Sequence, residues 1–165
     1  MTLSNLPSRP LFLGLFAVCI GLLSFGLYLQ HVVGLEPCPM CIMQRYAFVG
    51  VALAALVGGL HAPRRNGSRA YAGAILLLAL TGAGVAARQT WIQLYPPEFA
   101  ECGPDLEFML GSFPLADALP MIFHGAGDCS KVDWTFLGLS LANWSLVMFT
   151  LVALFAIAVM LRKRG

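Results

Sequence analysis

Four stretches without a charged residue constrain this chain most: Leu11–Leu29, Tyr46–Leu60, Tyr71–Ala87 and Trp144–Leu161, of 19, 15, 17 and 18 residues. An α-helix crosses a bilayer with about 20 mainly apolar residues, within a working range of roughly 17–25. The first, third and fourth stretches fit as they stand. The second fits only if its helix starts before Tyr46, and that start draws Arg45 into the span. Composition agrees. The 165 residues are 59% hydrophobic and 11% charged, against about half apolar and about a quarter charged in soluble domains. So few charges cannot cover a water-soluble globule, and the apolar share excludes a disordered chain. A net charge of +2 without a basic stripe argues against a nucleic-acid partner. The expected architecture is an all-α membrane protein, a four-transmembrane-helix bundle forming a single domain over residues 1–165. Its spans are expected at about 11–29, 41–60, 71–87 and 144–161, with outer loops at 30–40 and 88–143 and an inner loop at 61–70.

An even number of spans puts both termini on one side of the bilayer. Arg9, Arg64, Arg65, Arg69, Arg162, Lys163 and Arg164, seven of the ten basic residues, fall on that side. The positive-inside rule makes it cytoplasmic. All eight acidic residues, from Glu36 to Asp133, fall on the other side. The first span is longer than the core of a signal peptide and no A-x-A-like site follows it, so it is expected to stay as an anchor.

The long outer segment is broken by five prolines between Pro96 and Pro120, which favours loops and short helices. Within it, Phe113–Phe123 is mostly apolar around Asp117. It is expected to be a short segment on or dipping into the membrane surface; the competing reading is a small buried patch inside the loop. Trp91, Tyr95, Trp134 and Trp144 sit near span ends, as an aromatic belt would.

Five cysteines remain to be explained. Cys19 lies inside the first span and reads as a packing residue. Cys38, Cys41, Cys102 and Cys129 all fall on the outer side, where disulfides persist if the compartment is oxidising. Cys38 and Cys41 form a Cys-Pro-Met-Cys motif at the start of a membrane helix. Such pairs are common redox dithiols, and the positive end of a helix favours a thiolate. Between Cys102 and Cys129 lie 26 residues. A disulfide there could be a staple contributing about 3–4 kcal/mol or an exchangeable bond, since disulfides pass between pairs by thiolate attack. A four-cysteine zinc site competes weakly, because only one short knuckle is present; no metal is expected.

A helix starting near Cys41 places Arg45 four residues on, on the same face. The arginine could simply snorkel to the headgroups. Alternatively it favours a thiolate at Cys41 and donates hydrogen bonds to an oxygen-bearing oxidant. A lipid-soluble quinone fits that role, and the chain carries no haem-type or dinucleotide-binding motif to supply a bound carrier instead.

At Pro-Cys-Pro-Met-Cys-Ile-Met-Gln-Arg (37–45), Gln-Leu-Tyr-Pro (93–96), Phe-Ala-Glu-Cys (99–102), Gly-Asp-Cys (127–129) and Trp-Thr-Phe-Leu-Gly-Leu (134–139), the chain resembles the bacterial DsbB family. The resemblance covers nearly the whole chain. It implies a multi-pass bacterial inner-membrane enzyme with its active cysteines on the periplasmic side. The enzyme would reoxidise a DsbA-like thioredoxin-fold oxidase and pass the electrons to the membrane quinone pool, ubiquinone or menaquinone; the DsbA–DsbB–quinone route is known to keep the periplasm oxidising. It further implies disulfides Cys38–Cys41 and Cys102–Cys129, with DsbA attacking the second pair at Cys102 and a transient Cys38–Cys102 bridge. Cys41 would donate electrons to the quinone with Arg45 supporting, and Gln93 would lie near the quinone. Gln89 falls where some members carry a histidine and Gln44 where some carry an acidic residue; neither is placed in the core site. Competing expectations are a paralogue serving another thioredoxin-fold partner, a vitamin K epoxide reductase-like enzyme, whose second pair usually precedes the C-x-x-C, or a non-catalytic tetraspan protein with structural disulfides or metal.

Overall fold

A computed structural model describes residues 8–61, 65–96 and 134–162, together with positions 111, 112, 114 and 132. Four long helices dominate: α1 (Ser8–His31), α2 (Pro39–His61), α3 (Arg65–Leu94) and α4 (Leu141–Leu161). Each is long and apolar enough to cross a membrane. Each contains one of the four uncharged stretches. The helices carry large apolar side chains on the outside as well as inside. Leu77 and Leu80 on α3, and Leu151 and Leu154 on α4, are all exposed in mid-helix. In water that surface would aggregate; in a bilayer it is the solvated face.

Hydrophobic burial cannot drive helices together in lipid, so close packing of small residues does so. Extensive contacts run α1 on α2, α2 on α3 and α3 on α4. The shared core is accordingly rich in alanine, with Ala52, Ala55, Ala72, Ala79, Ala86 and Ala156 buried among Phe12, Ile75 and Phe149. Cys19 is fully buried in the same core. Gly82 shows how near the backbones come, because a Cβ at this position would collide with the ring of Phe149.

The second span settles its own shortfall by starting early. Helix α2 begins at Pro39, whose fixed φ and missing N–H suit the first helical position. Cys38 then stands where a capping residue stands. Its carbonyl accepts from the Ile42 amide (3.1 Å) and its sulfur accepts from the Cys41 amide (3.3 Å), which occupies one of the donors a helix start leaves unpaired. Arg45 therefore lies in the second turn of a membrane helix. Helix α3 has 30 residues, about 45 Å at 1.5 Å per residue. It continues past Ala87 to Leu94, and that extension brings Gln89 and Gln93 level with the cysteine pair.

Just before α4 the chain makes a small antiparallel hairpin, β1 (Thr135–Phe136) and β2 (Leu139–Ser140), with Thr135 opposite Ser140 and Phe136 opposite Leu139. Leu137 (φ 53°) and Gly138 (φ 78°) form its two-residue turn. Positive φ at both central positions is the turn geometry that matches strand twist. Ser140 ends the hairpin and caps α4, its hydroxyl accepting from the Asn143 amide at 3.3 Å.

Candidate active site

Cys38 caps α2 and Cys41 lies in its first turn, with their sulfurs 2.9 Å apart in an S–H···S contact. Cys38 is buried and Cys41 half-buried. The two cysteines border the neighbouring cavities unequally. Cys41 borders a cavity of about 510 Å³ together with Arg45, Gln44 and Phe48 of α2, residues of α1 such as Leu22 and Phe25, and Trp134, Phe136, Trp144 and Met148. Cys38 does not line that cavity. It borders a smaller one of about 70 Å³, shared with Cys41, Arg45, Glu36, Gln89, Gln93 and Ser140.

The hairpin roofs the large cavity with aromatic rings. Trp134 meets Phe25 of α1 edge-on (centroids 5.8 Å) and stacks on Phe136 (6.0 Å). The Trp144 indole N–H donates to the Phe136 carbonyl (3.0 Å), which ties the roof to α4. The floor is Phe48, stacked on Phe149 at 4.0 Å. A space of this volume, mostly apolar with a few convergent polar groups, has the character of a small-molecule site.

Arg45 is the cation in this wall. It is fastened to α1: one terminal nitrogen donates to the Gln30 side-chain oxygen, and the other donates to the Gly26 carbonyl at 3.0 Å. The long side chain is thereby held against the cavity instead of reaching for headgroups. Among the described residues these bonds use two of its five N–H donors. The others are available to an acceptor in the cavity.

Gln93 lies elsewhere. Its side-chain oxygen accepts from the Ser140 hydroxyl (2.7 Å), and it borders the small cavity, not the large one. Between Gln93 and the cysteines stands Gln89, whose amide donates to both sulfurs, at 3.3 Å to Cys38 and 3.2 Å to Cys41. Its oxygen accepts from the amide of Gln44 at 2.6 Å.

Comparison with known proteins gives the family. The family model described as "Disulfide bond formation protein DsbB" matches residues 8–159. The chain belongs to the DsbB family. Among proteins named "Disulfide bond formation protein B", it is 82% identical over 158 residues to that of Aromatoleum aromaticum, covering 96% of this chain and 95% of the relative. It is 67% identical over 156 residues to that of Azoarcus sp. (strain BH72), covering 94% of each. To that of Polaromonas naphthalenivorans the identity is 59% over 146 residues, covering 87% and 86%. The protein is thus a multi-pass membrane disulfide oxidoreductase built on four helices.

In this DsbB-family chain the residues expected from sequence divide into three groups. Cys38, Cys41 and Arg45 converge at one end of the bundle. Gln93 is nearby but turned to the smaller space. Cys102 and Cys129, and the apolar Phe113–Phe123 segment apart from Pro114, lie outside the described residues. Sequence reasoning missed Gln89 as a contact of the pair and Gln44 as the partner of Gln89, and it read Trp134 and Trp144 as belt residues, not as cavity walls. For the two glutamines a usable signal existed: uncharged but strongly polar side chains inside otherwise apolar membrane helices.

Proposed function

We propose that this DsbB-family enzyme draws electrons from a DsbA-like periplasmic oxidase through Cys102 and Cys129, then through Cys38 and Cys41, to a membrane quinone in the 510 Å³ cavity. The observation that carries the reading is the convergence of Cys41 and Arg45 on one apolar, aromatic-roofed space at the cysteine end of the bundle. Apolar walls suit a quinone ring and its lipid tail. The remaining guanidinium donors of Arg45 suit a carbonyl oxygen, and the fork is held in place before a ligand arrives. A quinone supplies a sink for two electrons and two protons. The chain supplies both: two S–H bonds break and the Cys38–Cys41 disulfide forms.

The unequal placement of the two cysteines supports a division of labour: both border the small cavity, and Cys41 alone of the two also borders the large one. Cys41 borders the space proposed for the oxidant. Cys38 borders only the small cavity beside the Leu35–Pro37 loop, away from the space proposed for the oxidant, which suits it to the transient Cys38–Cys102 bridge. In that exchange one S–S bond forms as another breaks, and the leaving sulfur carries away the electron pair. DsbA is a strong oxidant, at about −120 mV, so coupling to quinone reduction is what draws the exchange forward. By the positive-inside rule both termini face the cytoplasm and the cysteine end faces outward; membership of the DsbB family supports the bacterial inner membrane, with that end in the periplasm.

The test is direct. Purified protein is mixed with reduced DsbA and a soluble quinone analogue, and quinone absorbance is followed. Turnover is expected in the wild type and is expected to fall to background in Cys41→Ser and in Cys102→Ser. Undiminished turnover in both variants overturns the relay.

A further inference from the structure

Two glutamines stand against the cysteine pair without a part in the relay above. Gln44 of α2 and Gln89 of α3 are each only 3% exposed. The nitrogen of Gln44 donates to the oxygen of Gln89 at 2.6 Å. The nitrogen of Gln89 in turn donates to Cys38 Sγ at 3.3 Å and to Cys41 Sγ at 3.2 Å. A primary amide has two N–H donors on one side and an acceptor oxygen on the other. Gln89 therefore spends both donors on sulfur, one for each cysteine. The bond from Gln44 decides which side faces the sulfurs, because turning the amide over would set its N–H groups against those of Gln44. In a buried site such a clash leaves polar groups unpaired, which is strongly unfavourable.

We propose that Gln44 and Gln89 act as one positioning unit that sets the redox equilibrium of the Cys38–Cys41 pair. Gln89 donates to both sulfurs, and Gln44 fixes the direction in which that amide faces. The inference rests on reading Cys38–Cys41 as the redox pair next to the quinone. Sulfur in the dithiol state carries more electron density than sulfur in a disulfide, so it is the better acceptor. Two aimed N–H donors thus favour the reduced pair. When the Cys38–Cys41 disulfide takes two electrons and two protons from the Cys102 and Cys129 thiols, this preference makes it the stronger oxidant, just as a stabilised reduced form makes a disulfide oxidising in general. Both amides are uncharged, so they bias the equilibrium without placing a further titrating group beside the sulfurs and Arg45.

The experiment measures that equilibrium without quinone turnover. The full-length protein, with Cys102 and Cys129 changed to Ser, is equilibrated in lipid nanodiscs against thiol–disulfide buffers. The Cys38 and Cys41 thiols are then counted by maleimide mass shift, with buried Cys19 as a constant background. Gln89→Met keeps roughly the volume and removes the donors. It is expected to move the equilibrium about tenfold toward the disulfide, which is about 30 mV more negative for a two-electron couple. Gln44→Met leaves Gln89 in place but unfastened, and a smaller shift of the same sign is expected. The double variant is expected to match Gln89→Met alone, because the influence of Gln44 passes through Gln89. Gln89→Asn, which draws the amide back by one methylene, is expected to shift the same way and serves if Gln89→Met does not fold.

An unshifted potential in the Gln89 variants, or single-variant shifts that simply add in the double, overturns the proposal. The two readings fail separately. Normal quinone reduction by Cys41→Ser removes the relay itself. An unmoved potential beside an inactive Cys41→Ser removes only the glutamine unit.

Discussion

The two ends of the bundle use the same helices for different purposes. Away from the cysteines, the helices meet through small residues and close apolar contacts: Ala72, Ala156 and Val159 are buried beside Phe12 and Ile75, and Gly58 lies against Tyr71. At the cysteine end the same helices carry Gln30, Gln44, Gln89, Gln93 and Arg45 and enclose two cavities. Polar groups at membrane depth are tolerated where they satisfy one another. Among the described residues no buried side-chain nitrogen or oxygen lacks a partner. The contrast shows a division between holding and reacting: one end is closely packed, and the other is open, with the buried polar side chains among the described residues paired.

That division can be broken on purpose. The largest effect is expected from Arg45→Ala. Losing a charge-assisted hydrogen bond of roughly 1.5–3 kcal/mol should raise the apparent quinone KM about tenfold or more. The rate of thiol exchange with DsbA should change far less. An unchanged quinone dependence would remove Arg45 from the site. Next comes Gly59→Val, at the end away from the cysteines, which forces a side chain into that of Leu13. Overpacking of this kind costs roughly 1–3 kcal/mol, so the thermal midpoint should fall while the KM of the folded fraction stays put. A KM shift without loss of stability would show that the two ends are not separable. The smallest effect is expected from Gln30→Leu, which unfastens Arg45 from α1 but keeps its charge. The lost bond orients Arg45 and is not itself made to the quinone, so a rise of only a few-fold in quinone KM is expected, with little change in the midpoint.

The packed end was largely legible from sequence, because a membrane span is written locally in an unbroken apolar run. Each of the four uncharged stretches lies within one helix. Part of the reactive end was legible for the same reason: Cys38, Cys41 and Arg45 share one helix start, and their spacing is local. What sequence could not supply was contact between helices. Gln89 lies 48 residues from Cys41, and no periodicity says that α3 turns that position toward α2. Trp134 read as a belt residue because its role depends on a hairpin only two residues long on each side. The turn signal was present in Leu-Gly at 137–138, but a leucine at φ 53° is uncommon enough that pattern reading passes over it. Gln93 was placed by resemblance, and its hydrogen bond to Ser140 depends on where α4 begins.

The sulfur of Cys38 has a second duty with a consequence for timing. It closes the first turn of α2 by accepting the Cys41 amide. A side-chain cap of this kind is worth about 0.5–2 kcal/mol. Any reaction that draws that sulfur toward another partner therefore also loosens a helix end, and that end holds the other cysteine. Chemistry at one thiol is thus mechanically audible at its neighbour: the backbone between them registers which bond has been made. Amide hydrogen exchange at Cys41 would track the progress of the relay without any probe attached to sulfur.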